Sequence, residues 1–524
     1  MATTGTSAQL ADYLISGYWR SVGSAPHHWA GPTVTYNLGN LNATEQSLAL
    51  SALKAWQDVS GLTFVWTSGG ANISFSHNGN MQAYSNASWN GSGLMTAAVV
   101  NISSDWVTSN GGANDGATGL FSYAYQTYLH EIGHALGLGH QGPYNGSAAY
   151  GKDNIFTNDT WQYSLMSYFD QDNLSGSSTS YVVTPQMADI AAIQALYGGA
   201  TTKTGDTVYG FNSNAGPAYD FANLLGFHPQ GMSAPALTIY DSGGNDTLDC
   251  SLFTQDQFIS LNPGAFSSVG GEANNIGIFS TTVIENALAG GGNDTINGNA
   301  AANYLFGADG ADSVYGADGA DNLNGGDGAD TLAGGAGNDV YYVNQASDVT
   351  IENPDSGTDT VVAFTSWTLA STFENLTLNT GAGWINGTGN SGANVIIGNT
   401  SGNVLNGGFG NDILSAGFGV DPDFFVFDTA LNGGANVDTI TDFNDANDTF
   451  LLHHAVFSTL NAGTLDANQF EIGAGANEAA DRIIYNQETG QIFYDADGDL
   501  GGTAVLFANV MPRISLTNND FIVL

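Results

Sequence analysis

Lysine and arginine are nearly missing from this sequence: 6 of 524 residues, against 49 Asp and Glu, for a formal net charge of −43 at pH 7. A surface of that sign repels nucleic acid and anionic lipid, which argues against polyanion binding. Charged residues of either sign make up only 10% of the chain, well below the roughly 25% of ordinary soluble domains. The imbalance is therefore a shortage of cations and not a surplus of carboxylates. Cys250 is the only cysteine, so no intrachain disulfide can form, and cysteine usage does not reveal the redox compartment. No apolar run approaches the roughly 18 residues of a membrane span. The first cation is Arg20, so the N-terminus lacks the basic region of a cleaved secretory signal, and any export is expected by another route.

Apolar residues (42%) and aromatics (11%) supply enough burial for two or three folded domains despite 71 glycines. The charge is unevenly placed. Residues 1–200 hold 11 acids and 3 bases, net −8; residues 201–524 hold 38 acids and 3 bases, net −35. The chain's own cations cannot neutralise that second part.

The first 200 residues read as mixed α+β sequence. Helical spacing over Ser47–Val59 follows two candidate caps, Asn42 and Thr44. Strands are expected at Leu62–Trp66 and around Ala98–Ile102, and further helices over 123–136 and Gln186–Tyr197. The strongest local signal lies in the first of these helices: His130-Glu131-Ile132-Gly133-His134-Ala135-Leu136-Gly137-Leu138-Gly139-His140. Residues i and i+4 share a helix face, so His130 and His134 can present imidazoles to one metal with Glu131 beside them. Gly137 lets the chain leave the helix and bring His140 back as a third ligand. Three neutral nitrogens suit Zn²⁺ and leave a coordination position open, and Glu131 is placed to act as general base in peptide hydrolysis. Chance supplies His-Glu-x-x-His about 0.003 times in a chain of this composition. His27, His28, His77, His228, His453 and His454 have no such spacing and read as ordinary histidines.

Beyond residue 285 a nine-residue period sets in. Asp294, Asn303, Asp312, Asp321, Asp330 and Asp339 are nine apart, each followed two residues later by Ile296, Leu305, Val314, Leu323, Leu332 or Tyr341. The period resumes at Asn394, Asn403, Asp412 and Asp421. A Gly-rich half-turn, an acid and a short strand with one inward apolar residue stack into a parallel β-roll whose carbonyls and carboxylates suit Ca²⁺. Asp294, Asp312, Asp321, Asp330, Asp339 and Asp412 are the candidate ligands. Turns carrying Asn303, Asn394 or Asn403 should bind calcium weakly or not at all, and Pro422-Asp423 is expected to break the strand after Asp421. Asp241, Gly243 and Asp246 form a further candidate, whereas Asp495-Ala496-Asp497-Gly498-Asp499 reads equally well as a solvated turn.

The long histidine motif resembles that of the metzincin metallopeptidases, and within them the chain is similar to the serralysin-type secreted bacterial proteases with RTX calcium repeats. The resemblance extends to Ser164-Leu165-Met166-Ser167-Tyr168-Phe169, Gly142-Pro143-Tyr144-Asn145 and Thr184-Pro185-Gln186-Met187-Ala188-Asp189. It implies that Met166 floors the zinc site, and that Tyr168 is an additional zinc ligand able to swing and support the tetrahedral intermediate. It also implies an α+β metzincin catalytic domain followed by an all-β parallel roll and a β-rich C-terminal secretion unit. The expected boundaries are a propeptide at 1–19, the peptidase domain at 20–200, a linker and lead-in at 201–285, a first repeat array at 286–344, an intervening β segment at 345–384, a second array at 385–423 and a cap with a type I secretion signal at 424–524. The last residues, Asn518-Asn519-Asp520-Phe521-Ile522-Val523-Leu524, resemble such an uncleaved signal. On this reading the protein is a secreted, extracellular zinc endopeptidase stabilised by calcium. Its partners are protein or peptide substrates, a type I exporter and a protein inhibitor. A non-catalytic RTX surface or adhesion protein is the alternative, and a zinc enzyme acting on another bond a third.

Overall fold

Helix formation in the N-terminal half starts from polar caps. Asn42 caps Ala43–Val59 and exchanges side-chain bonds with Glu45, and Ser122 caps Tyr123–Ala135 by accepting the Tyr125 N–H at 3.1 Å. In a computed structural model of the protein, residues 2–111, 119–177, 180–226, 234–353 and 357–524 are described. They fall into two units, Met1–Ala301 and Ala302–Leu524. His228 lies outside the described residues.

In the first unit five strands form one sheet: β1 (Thr33–Asn37), β2 (Thr63–Trp66), β3 (Ile73–Ser76), β4 (Ala83–Trp89) and β5 (Met95–Ile102), in the order β2-β1-β3-β5-β4. All neighbours are parallel except β4, which runs antiparallel to β5 and forms the sheet's edge. The α-helices of its first 200 residues are α1 (Ser7–Asp12), α2 (Tyr18–Ser21), α3 (Ala43–Val59), α4 (Ser104–Ser109), α5 (Tyr123–Ala135) and α6 (Met187–Tyr197). Helices α3 and α5 share a core in which the fully buried Trp56 donates its indole N–H to the Leu129 carbonyl (3.0 Å). Gly137, at φ +102°, ends α5, and the Leu138 N–H returns to the Gly133 carbonyl at 3.1 Å.

Residues 2–19, within the segment expected as a propeptide, are packed into this unit. Leu10, Leu14 and Tyr18 are buried, and Gly5 exchanges two hydrogen bonds with Asn158 (2.8 and 2.9 Å). The loop carrying His140 is tied to the same segment: Gln141 donates to the Leu10 carbonyl (3.0 Å) and Gly139 N–H to that of Leu14 (2.8 Å). Later in the unit, three-residue strands already pair in parallel, Val208–Gly210 with Thr247–Asp249, and Thr247–Asp249 with Asn286–Leu288.

The second unit is built from short parallel strands that alternate between two faces. One sheet runs through Tyr304–Asp309, Asn322–Asp327, Val340–Val343, Thr360–Ala363, Asn375–Leu378, Val395–Ile397, Ile413–Ser415 and Asp438–Ile440. The intervening half-turns pair with one another, as Ser313–Asp318 does with Thr331–Ala336. Leu305, Val314, Leu323, Leu332, Tyr341, Ile396, Leu405 and Leu414 are all fully buried between the faces, each contributing about 1.5–3 kcal/mol of burial. The sheet does not pause over 345–384. Tyr341 pairs with Val361, Val361 with Leu376 and Leu376 with Ile396, so turns of unequal length continue one stack.

Candidate functional site

Helix α5 presents His130 and His134 on one face, and the turn at Gly137 brings His140 to meet them. The Nε2 atoms of His130 and His134 lie 3.1 Å apart, and those of His134 and His140 2.9 Å apart. Each opposite nitrogen faces a carbonyl at 2.8 Å: His130 Nδ1 to Leu165, His134 Nδ1 to Leu138 and His140 Nδ1 to Tyr144. A carbonyl can only accept, so the ring protons sit on Nδ1 and three Nε2 lone pairs converge. Burial pushes His130 down to about 4, His134 to about 3 and His140 well below its usual range, so all three are neutral at pH 7. Lone pairs this close need a shared cation. With Zn–N bonds of about 2.0–2.1 Å, tetrahedral geometry calls for N···N separations of about 3.3 Å, near those found. The donor set fits Zn²⁺.

Glu131 lines the same cavity, is 7% exposed, and is raised to about 8 by burial. Beneath the site Met166 is fully buried, and a Cβ at Gly133 would stand 2.6 Å from its sulfur. The peptide carrying the Leu165 carbonyl is fixed by Asp189, whose carboxylate accepts Ser164 Oγ–H (2.6 Å), Leu165 N–H (2.8 Å) and Gln186 N–H (2.9 Å). Tyr168 packs its ring against His140 with centroids 4.5 Å apart, and its hydroxyl accepts the Gly146 N–H at 3.4 Å. Burial raises its pKa, so it is a neutral phenol. A cavity of about 540 Å³ opens on Glu131 and Tyr168, walled by Trp106, Tyr123 and Trp161.

In the second unit the carboxylates form a ladder. Asp321 Oδ1 accepts the Asn303 N–H (2.7 Å), Asp330 that of Asp312 (2.9 Å), Asp339 that of Asp321 (2.8 Å) and Asp412 that of Asn394 (2.7 Å). The second oxygens of Asp321, Asp330, Asp339 and Asp412 are buried with no hydrogen-bond partner among the described residues. They sit in glycine cradles. A Cβ at Gly316 would lie 2.2 Å from Asp321 Oδ2 and 2.6 Å from the Gly334 carbonyl, and one at Gly307 2.3 Å from Asp312 Oδ2. Anionic oxygens beside carbonyls in a space that excludes a methyl fit Ca²⁺.

Asn394 and Asn403 fill the equivalent positions differently. Their amides donate to the Phe373 carbonyl (2.9 Å) and the Ile385 carbonyl (2.7 Å), so an N–H takes the place of a cation. In the first unit, Asp294 accepts from Gln257 N–H (2.6 Å) and Gly290 N–H (3.3 Å). Asp241 accepts from the Tyr209 hydroxyl (2.6 Å) and from Gly243 N–H (2.7 Å). Asp246 accepts Thr207 N–H (2.8 Å), while its other oxygen is buried with no hydrogen-bond partner among the described residues.

Residues 198–378 match the family described as Peptidase M10 serralysin C terminal, and residues 388–421 match the RTX calcium-binding nonapeptide repeat. The chain is 39% identical over 273 residues to Metallopeptidase AprA of Pseudomonas marginalis, covering 50% of this chain and 56% of that one. It is 37% identical over 287 residues to a Serralysin of Proteus mirabilis, with the same coverage. The two matched stretches are similar to the C-terminal region of serralysins and to RTX repeats. A Serralysin C of Dickeya chrysanthemi is 40% identical over 273 residues, 49% of this chain and 53% of the relative. The chain thus spans about half the length of the curated relatives it matches.

Several acidic residues escape a strict nine-residue reading. Asp339 meets Glu352 and Asp359, with ligand oxygens within 4.8 Å of one another. The acid that accepts the Asn403 N–H is Asp423 (2.7 Å), not Asp421, and Phe424–Phe427 forms a strand directly after it. Pro422 therefore shifts the register by two residues without breaking the stack. Asp438 accepts the Asp412 N–H (3.2 Å) in the same way. The carboxylate-to-amide hydrogen bonds identify Asp359, Asp423 and Asp438, whose spacings of 20 to 26 residues follow no fixed period. No helix among the described residues is long and apolar enough to cross a membrane.

Proposed function

We propose that the protein is a secreted zinc endopeptidase that hydrolyses peptide bonds of extracellular proteins, with a calcium-stabilised roll. The convergence of three Nε2 lone pairs beside a buried carboxylate, at the floor of a cleft, carries this reading. That geometry and the similarity to metallopeptidases support the reading for the whole chain. Zinc held by His130, His134 and His140 would supply a Lewis acid that acidifies water and polarises a peptide carbonyl.

The chain's own residues do the rest. A dication on the three histidines would offset the burial that raises Glu131 and keep it a carboxylate, which takes a proton and returns it to the departing amine. The neutral Tyr168 phenol, freed from Gly146, donates a hydrogen bond where charge develops on the carbonyl oxygen. Asp189, through the Leu165 peptide, keeps His130 in its ring orientation. The edge of β4 offers unpaired backbone groups along the cleft, to which an extended peptide can add as a further strand. Asp321, Asp330, Asp339 and Asp412 would bind calcium outside the cell and fold the roll, the chain having left by a type I exporter. A protein inhibitor of the cleft is a further partner on this reading.

Casein digestion with zinc and calcium present, and its loss on zinc chelation, tests the assignment; an adhesion protein would leave casein intact.

A further inference from the structure

One wall of the cleft is a continuous run of rings built largely by the N-terminal segment. Trp89, at the end of β4, stacks on His27 with centroids 3.9 Å apart and planes 5° apart; His27 lies 4.2 Å from Trp19. Trp19 meets Tyr18 edge-on at 4.9 Å, and Tyr18 meets His140 edge-on at 5.0 Å. The run thus reaches from the sheet edge to the third histidine of the metal site.

The wall is fixed in place. The Trp19 indole N–H donates to the Gly137 carbonyl (3.0 Å), His27 Nδ1 bonds the Ala25 carbonyl (3.0 Å), and Tyr18 and His27 are buried. Trp89 owes its position to an irregularity in β4. Ser88 pairs with Ala97 but Trp89 with Met95, and a slip of this kind re-aims the side chain that follows it. Trp89 remains 37% exposed, a large aromatic surface left open on the cleft.

These rings bound a cavity of about 320 Å³ shared with His130, His134, His140 and Glu131. Among the described residues lining it, Glu131 is the only Asp, Glu, Lys or Arg. A charged ligand group would find no partner there beyond the catalytic machinery, whereas an aromatic or large aliphatic side chain would gain ring contacts and lose little hydration. The Trp106, Tyr123 and Trp161 wall belongs to the other cavity, which does not include Tyr18, Trp19, His27 or Trp89.

Resting on the proteolytic reading above, we infer that Trp89, His27, Trp19 and Tyr18 form a substrate subsite. It takes an aromatic or large aliphatic side chain of the peptide on one side of the scissile bond, the side away from Trp106 and Trp161. Trp89 is the specificity-determining residue, because it is the most exposed of the four and, unlike Trp19, makes no bond to the Gly137 turn.

The test uses full-length protein with zinc and calcium. Peptides carrying Phe, Leu, Ala, Asp or Lys at each position flanking the scissile bond are cleaved, and products are mapped by mass spectrometry. In wild type, Phe and Leu exceed Ala on the Trp89 side. Trp89→Ala lowers the Phe-to-Ala ratio of kcat/KM about tenfold on that side only, the scale of one lost ring contact, and Trp89→Phe restores most of it. An unchanged ratio in Trp89→Ala, or equal flattening on both sides of the bond, overturns the subsite while leaving the protease reading intact. A wild-type protein that cleaves nothing overturns both.

Discussion

Asp189 and His130 are joined through a single residue: the Asp189 carboxylate accepts the Leu165 N–H at 2.8 Å, and the Leu165 carbonyl faces His130 Nδ1 at 2.8 Å. Asp189 is fully buried and sits in the first turn of α6, so the helix that closes the domain also sets the tilt of a ring in the histidine cluster. In Asp189→Asn an amide N–H2 must face one or more of the donors Ser164 Oγ–H, Leu165 N–H and Gln186 N–H. Zinc affinity should fall about 10- to 100-fold, measured by competition with a chromophoric chelator, while the helical circular dichroism is kept.

Asp321→Asn should exchange a calcium site for an amide bond of the kind Asn403 makes to Ile385. Bound calcium, by metal analysis, should drop by at least one ion per chain. In a calcium chelator the variant should melt higher than wild type, because one buried anion is gone; in excess calcium it should melt lower.

The calcium-free roll should respond to pH in the opposite sense to most acidic folds. Burial first, and neighbouring carboxylates second, raise Asp321 and Asp423 to about 7 and Asp359 to about 6. Unfolded, these groups titrate near 4, so between about pH 4 and 7 the folded form binds more protons than the unfolded form. Its stability is therefore greatest at the acid end of that window and is lost as pH rises through 6 to 7. Circular dichroism melts of the full chain in chelator at pH 5 and pH 8 should show the β-rich transition higher at pH 5, and added calcium should remove the difference at pH 8.

Ala308 and Ala317 hold left-handed backbone at φ +84° and +88°, where their register partners Gly326 and Gly335 carry no Cβ. A side chain there costs about 1–2 kcal/mol, partly offset because glycine loses more entropy on folding. Ala308→Gly and Ala317→Gly should each stabilise the roll by about 0.5–1 kcal/mol, read as a higher denaturant midpoint in saturating calcium.

The histidine cluster was legible because its geometry is local: i, i+4 spacing and one glycine exit determine where His130, His134 and His140 go. The roll's interior was legible for the same reason wherever each half-turn is nine residues long. Over 345–384 the strands continue while the outer turns change length, so Val361 and Leu376 keep the stack without keeping the period. The roles of Asp423, Glu352 and Asp359 depend on that changed register. His27 read as an ordinary histidine, since its stacking between Trp19 and Trp89 joins three separate stretches of chain that no spacing rule links.

Glu131 is the residue on which the hydrolytic reading turns. Wild type and Glu131→Ala, each loaded with zinc and calcium, should be compared by metal analysis and casein digestion on the same preparation. Equal zinc content with proteolysis lost by three or more orders of magnitude, about 4 kcal/mol in the barrier, is the expected result. Full proteolysis by Glu131→Ala at equal zinc would contradict the account.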